Sequence, residues 1–187
     1  MTRPPPRCDP ADVALLAMDC DGVLTDGAVW FTEQGDELKR FCTRDGLGVR
    51  LWTDAGRPAA IITGRGGAPV RRRAEELGIA HVLEGVRDKA EALRTLAEVT
   101  GVDPARMAYA ADDWPDLPAM RLVGYPVAVA DAEPAILDAA AWVTPRPGGA
   151  GAIRDLVEHL LRARNALAEP GSAHGGPRHP SERPGPA

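Results

Sequence analysis

Val13-Ala14-Leu15-Leu16-Ala17-Met18 runs without one polar residue and stops at once on Asp19-Cys20-Asp21-Gly22. A short apolar run of this kind suits a strand buried on both faces. The pattern returns along the chain. Pro58 to Ile62 ends on Thr63-Gly64-Arg65, Ala80 to Leu83 leads to Arg87-Asp88-Lys89, and Met107 to Ala110 ends on Ala111-Asp112-Asp113-Trp114-Pro115-Asp116. Pro126 to Ala130 and Trp142-Val143 are two further strand candidates.

Helical segments separate these runs. Asp45 to Ala55 is predicted helical, with Gly56 just past its end. Ala68 to Leu77 is an Arg- and Glu-rich helix closed by Gly78, and Lys89 to Thr100 carries an apolar stripe of Ala90, Leu93, Leu96 and Ala97. Leu117 to Leu122, Pro134 to Ala140 and Gly151 to Ala166 complete the set. Strands alternating with helices imply an α/β fold: a Rossmann-like, doubly wound parallel sheet with helices on both faces. Ala28 to Phe31 and Glu37 to Phe41 flank Gly35 and read as a β-hairpin inserted after the first strand.

Three units follow. Residues 1–12 are Pro-rich and polar and are expected to form a disordered leader; residues 13–166 form the folded domain. Residues 167–187 are expected to form a disordered tail, because Gly171 to Ala187 is mostly Pro, Gly, Ser and His with almost nothing apolar. A hydrophobic fraction of 44% is enough for a core in the middle unit.

Open parallel sheets bind ligands beyond the carboxyl ends of their strands. The chemically interesting residues of this chain all follow strands. Asp19 and Asp21 are costly at the end of a buried strand unless a cation balances them. Mg²⁺ prefers such hard oxygen donors. A carboxylate facing a phosphate can act as nucleophile, and a neighbouring carboxyl can carry the proton. A hydroxyl followed by glycine, as in Thr63-Gly64, can cradle a phosphate oxygen, and Lys89 adds a point charge. Asp112, Asp113 and Asp116 invite a cation, although one of them could cap the next helix. Each feature alone has an ordinary structural explanation. Together, in chain order, they supply nucleophile, metal ligands and cationic clamps for phosphoryl transfer.

This ordered set resembles the haloacid dehalogenase superfamily of phosphatases. Asp21 to Gly27, Gly35-Asp36-Glu37-Leu38-Lys39, Arg44-Asp45-Gly46, Ala128 to Ala132 and Gly148 to Arg154 further resemble its capless subgroup. That subgroup is typified by 3-deoxy-D-manno-octulosonate 8-phosphate phosphatases. The resemblance implies a HAD-like fold without a cap domain. It implies Asp19 as nucleophile and Asp21 as general acid/base. Mg²⁺ would be held by Asp19, the backbone carbonyl of Asp21, and Asp112. Thr63, Gly64 and Lys89 would hold the phosphoryl group, with Asp113 or Asp116 as outer supports. Arg65, Arg73 and Lys39 become candidates for contacts to a substrate carboxylate. It also implies a homotetramer in which a neighbour covers the open site.

The expected substrate is a small phosphorylated metabolite, namely a sugar-acid phosphate such as the octulosonate 8-phosphate. A nonulosonate 9-phosphate or another sugar phosphate is the alternative. A non-catalytic oligomerisation module is a third reading, disfavoured because the acid pair and Lys89 are all present. Ala111 stands where the family usually has Gly, and Cys20 where it has an aliphatic residue. The net charge of −5 argues against a nucleic-acid partner. The chain has no apolar run of membrane-spanning length, Met1 to Pro10 is Pro-rich and polar where a signal peptide would need an apolar stretch, and the three cysteines lack metal-ligand spacing. A cytoplasmic location is therefore expected.

Overall fold

The computed structural model describes residues 4–166. In chain order the elements are β1 (Leu15–Met18), β2 (Trp30–Phe31), β3 (Glu37–Leu38), α1 (Thr43–Asp54), β4 (Ala59–Ile62), α2 (Ala68–Leu77), β5 (His81–Leu83) and α3 (Lys89–Thr100). Then come β6 (Met107–Ala111), α4 (Leu117–Leu122), β7 (Tyr125–Ala128), α5 (Pro134–Ala139), β8 (Trp142–Val143) and α6 (Ala152–Ala163).

The apolar runs become one parallel sheet of six strands in the order β5-β4-β1-β6-β7-β8. Every residue of β1, β4, β6 and β7 is buried, as expected for strands covered on both faces. Helices α1, α2 and α6 neighbour one another, as do α3, α4 and α5. Right-handed crossovers place these two sets on opposite faces. The chain winds outward from β1 through β4 to β5, then returns to β6 on the other side. The switch point therefore lies between β1 and β6. Met18 sits opposite both Ile61 and Ala110, so β1, β4 and β6 end at one level.

Local chemistry explains most boundaries. Gly78 and Gly101 take left-handed conformations and stop α2 and α3, while Asp88 caps α3 by accepting from the Glu91 N–H at 3.0 Å. The hairpin is present but shorter than expected, because only Trp30 with Leu38 and Phe31 with Glu37 pair. The segment ahead of β1 differs from the expected disordered leader. Pro10–Asp12 forms a 3₁₀ turn capped by Asp9, and Arg7 donates to the carbonyls of Arg121 and Val123. Those carbonyls end α4 and have no helical partners, so an Arg reaching them ties the segment down. The expected tail, residues 167–187, lies outside the described residues, as do residues 1–3. No helix among the described residues is long and apolar enough to cross a membrane.

Candidate active site

The strand ends deliver the predicted acids to one place. Asp19 follows β1 directly and Asp112 follows β6 directly. Oxygens from Asp19, Asp112 and Asp116 all lie within 4.8 Å of one another. These three are not equivalent. Asp116 Oδ1 accepts from Lys89 Nζ and from the Tyr109 hydroxyl, both at 2.6 Å. Its second oxygen faces the Asp112 and Asp113 N–H groups at 3.4 and 3.5 Å. Asp116 is thus occupied with protein donors. Asp112 Oδ1, by contrast, is buried without a hydrogen-bond partner among the described residues.

Charge balance points the same way. Burial, with Asp116 adding to it, raises the Asp19 carboxyl to about 6 although Lys89 opposes the shift. Burial and the facing Asp19 and Asp116 carboxylates push Asp112 up to about 8. Clustered acids with one nearby ammonium lack positive charge, and a hard dication would supply it. The all-oxygen donor set of Asp19 and Asp112 fits Mg²⁺. Gly22 completes the cradle. A Cβ there would overlap the Asp112 carboxylate, and its φ of +84° is one that L side chains rarely adopt.

Lys89 opens α3 and is 5% exposed. Its Nζ lies 2.9 Å from Asp19 Oδ2 and 2.6 Å from Asp116 Oδ1. Burial works against the ammonium, yet these two carboxylates raise it above the usual lysine range and keep it charged. Thr63 directly follows β4 and is buried, and its Oγ1 accepts from the Arg65 N–H at 3.2 Å. Asp19 Oδ1 accepts from the Cys20 N–H at 2.7 Å, which leaves Oδ2 beside Lys89. Cys20 itself is buried, its thiol pushed up to about 12 by burial and by Asp21. Its carbonyl accepts from Leu24 and Thr25 and shapes the turn. Asp113 caps the turn Trp114–Asp116 rather than facing the other acids.

The cationic candidates separate. Lys39, on the hairpin, is committed to Asp21 and to Glu37 (2.8 Å for the latter), with its side chain 2% exposed. Its ammonium therefore lies between two protein acids. Asp21 Oδ2 remains buried without a partner among the described residues. Arg65 pairs with Glu37 at 3.0 Å and stays half-exposed beside this group. Arg73 turns away: it contacts Glu76, the Cys42 carbonyl and the Phe41 ring. Nothing ties it to the acids.

Two residues of the site escaped the sequence reading. Tyr109 donates to Asp116, and burial keeps its phenol protonated. A tyrosine in a strand of Met and Ala was the available signal, because a buried hydroxyl needs a partner. Glu37 joins Lys39 to Arg65, and only the folded hairpin reveals that link.

The haloacid dehalogenase-like hydrolase family matches residues 55–153. Two curated relatives named 3-deoxy-D-manno-octulosonate 8-phosphate phosphatase KdsC are each 42% identical. That of Yersinia pestis aligns over 157 residues and that of Escherichia coli K12 over 158, covering 84% of either chain in both cases. The chain belongs to the haloacid dehalogenase-like hydrolases. Solved members share the fold of this hydrolase. The Moraxella catarrhalis octulosonate 8-phosphate phosphatase, in complex with magnesium, phosphate and KDO, superposes with a TM-score of 0.82. It is 39% identical, over 84% of this chain and 90% of its own. The cobalt-bound Haemophilus influenzae enzyme gives a TM-score of 0.81 at 35% identity, over 84% and 92% of the two chains.

Proposed function

We propose that this hydrolase is a Mg²⁺-dependent phosphomonoesterase acting on 3-deoxy-D-manno-octulosonate 8-phosphate. The observation that carries the reading is the convergence of Asp19 and Asp112 at the switch point, with Lys89 on Asp19 Oδ2. The names and bound ligands of the relatives support the substrate.

When bound between Asp19, the Asp21 carbonyl and Asp112, Mg²⁺ would neutralise these acids and polarise the phosphoryl group. Asp19 attacks phosphorus, forming an aspartyl phosphate while the bond from phosphorus to the ester oxygen breaks. Asp21 delivers its proton to that leaving oxygen. It then takes a proton from water, which attacks the aspartyl phosphate and releases phosphate with Asp19 restored. Lys89, Thr63 and the Gly64 backbone hold equatorial oxygens and offset the charge that spreads over them. Asp116 and Tyr109 fix Lys89 from behind. Lys39 orients Asp21 through one oxygen and leaves the other toward the leaving group. Arg65, half-exposed and paired with Glu37, would meet a sugar-acid carboxylate.

Assembly is part of the reading. Val29, Trp30, Phe31 and Leu38 are 45 to 64% exposed on or beside the hairpin. Such a patch supports burial against further copies of the chain, in a homotetramer whose neighbours cover the site. The three free cysteines suit a reducing cytoplasm. The deciding experiment is Mg²⁺-dependent phosphate release from a panel of phosphorylated sugar acids. Preference for the octulosonate 8-phosphate supports the proposal. Preference for a nonulosonate 9-phosphate moves the substrate, and silence on every ester would favour a non-catalytic module.

A further inference from the structure

We infer that Asp45 is a positioning residue for the metal site, acting through the glycine loop ahead of α6. This inference rests on the phosphatase reading above. Asp45 lies in the first turn of α1 and is 1% exposed. Its carboxylate serves another helix: Oδ2 accepts from the Gly151 N–H and Oδ1 from the Arg154 N–H, each at 3.0 Å. Gly151 is the N-cap of α6 and offers no side chain for that task. The first N–H groups of a helix have no partners of their own, so a buried acid from α1 fills the gap. The two helices meet closely enough that a Cβ on Gly48 would strike the Arg154 backbone.

The loop so held presses on the catalytic loop. The Gly149 N–H donates to the Val23 carbonyl at 3.0 Å. A Cβ on Gly148 would overlap the Gly22 carbonyl, and one on Gly149 would crowd Thr25 and Asp26. Gly22 in turn lies against the Asp112 carboxylate. A continuous set of backbone contacts therefore runs from Asp45, through 148–151 and 22–23, to Asp112. Asp45 touches neither Mg²⁺ nor substrate in this scheme; it fixes the spacing between Asp19 and Asp112. Groups that hold ligands in place affect metal affinity by about 10- to 100-fold. An ångström of misplacement costs about 100-fold in rate.

The alternative is that Asp45 merely holds α1 to α6. Val49→Ala separates the two, since Val49 is buried in the same helix but bonds to no part of the loop. The test compares full-length wild type, Asp45→Ala, Asp45→Asn and Val49→Ala. Mg²⁺ affinity is measured by calorimetry on metal-free protein without substrate. Thermal midpoint, kcat and KM at saturating Mg²⁺ are measured alongside. Asp45→Ala is expected to weaken Mg²⁺ about 10-fold and to lower kcat about 10- to 100-fold with little change in KM. Asp45→Asn keeps one acceptor and should fall between it and wild type, which preserves the test if the alanine variant does not fold. Val49→Ala should lower the midpoint yet keep Mg²⁺ affinity and kcat. Parallel losses in Asp45 and Val49 variants, or unchanged Mg²⁺ affinity and kcat in Asp45→Asn, would overturn the inference. If wild type hydrolysed no ester, the functional reading would fall, while the Mg²⁺ titration would still decide the role of Asp45.

Discussion

The strand-end site and the β2–β3 hairpin are neighbours with opposite character. At the site Lys89 is buried between Asp19 and Asp116, and Asp116 also accepts from the Tyr109 hydroxyl. On the hairpin, Trp30 and Phe31 are 60% and 64% exposed, and only two residue pairs hold the strands together. A two-stranded hairpin is marginal by itself in water. Yet the hairpin carries Glu37 and Lys39 to Asp21. The contrast teaches that the sheet prebuilds the Asp19, Asp112 and Lys89 cluster, while the partner of Asp21 sits on a piece that few pairings hold.

The largest effect should come from the site. Asp19→Asn removes the proposed nucleophile and should lower kcat by about 10⁴-fold or more, with assembly by sedimentation unchanged. Concurrent loss of assembly would break the separation between the two regions. Next, Lys89→Met strands Asp19 and Asp116 without their cation. Breaking a buried pair by removing one partner costs about 3–5 kcal/mol, measurable by urea denaturation in the absence of Mg²⁺. A loss under about 1 kcal/mol would show that the acids are better solvated than their burial indicates.

On the other side of the comparison, Trp30→Ala combined with Phe31→Ala should shift sedimentation toward smaller species and lower kcat/KM. Monomer stability should change by only about 0.5 kcal/mol, because exposed side chains contribute little to a single chain. An unchanged sedimentation profile would leave the exposed patch without a partner.

The smallest effect lies away from both regions. His159 stacks on Trp142 at 4.5 Å and meets the Tyr125 hydroxyl at 2.7 Å. Burial, with Arg162 adding to it, lowers its pKa below the usual 6.5, so the fold favours the neutral ring. That stability is present above the unfolded pKa and is lost as pH falls through the folded one. Urea midpoints should therefore decline below pH 6.5 in wild type and decline less in His159→Gln. Equal declines would remove His159 as the cause.

Several elements could be read from the chain because their signals are local. Gly78 and Gly101 mark the ends of α2 and α3, and both helices occupy the expected residues. The Asp19, Thr63, Lys89 and Asp112 positions stood out because each directly follows an apolar strand or opens a helix. Other features depended on distant partners. Helix α1 starts at Thr43, ahead of the expected Asp45, and the Asp45 carboxylate faces α6. Arg7 orders the segment before β1 through carbonyls more than a hundred residues away. Lys39 meets Asp21, a contact between the hairpin and the loop after β1 that leaves no mark in local composition.

By itself the sequence determined the alternation of strands and helices and which residues leave the strand ends carrying charge. Apolar periodicity and turn chemistry act over a few residues, so a linear reading recovers them. Only the tertiary structure decided which acid keeps free oxygens and which is taken up by Lys89 and Tyr109. It also decided where Lys39 and Asp45 spend their charge. Those outcomes depend on burial and on through-space distances of a few ångströms, which sequence separation does not encode.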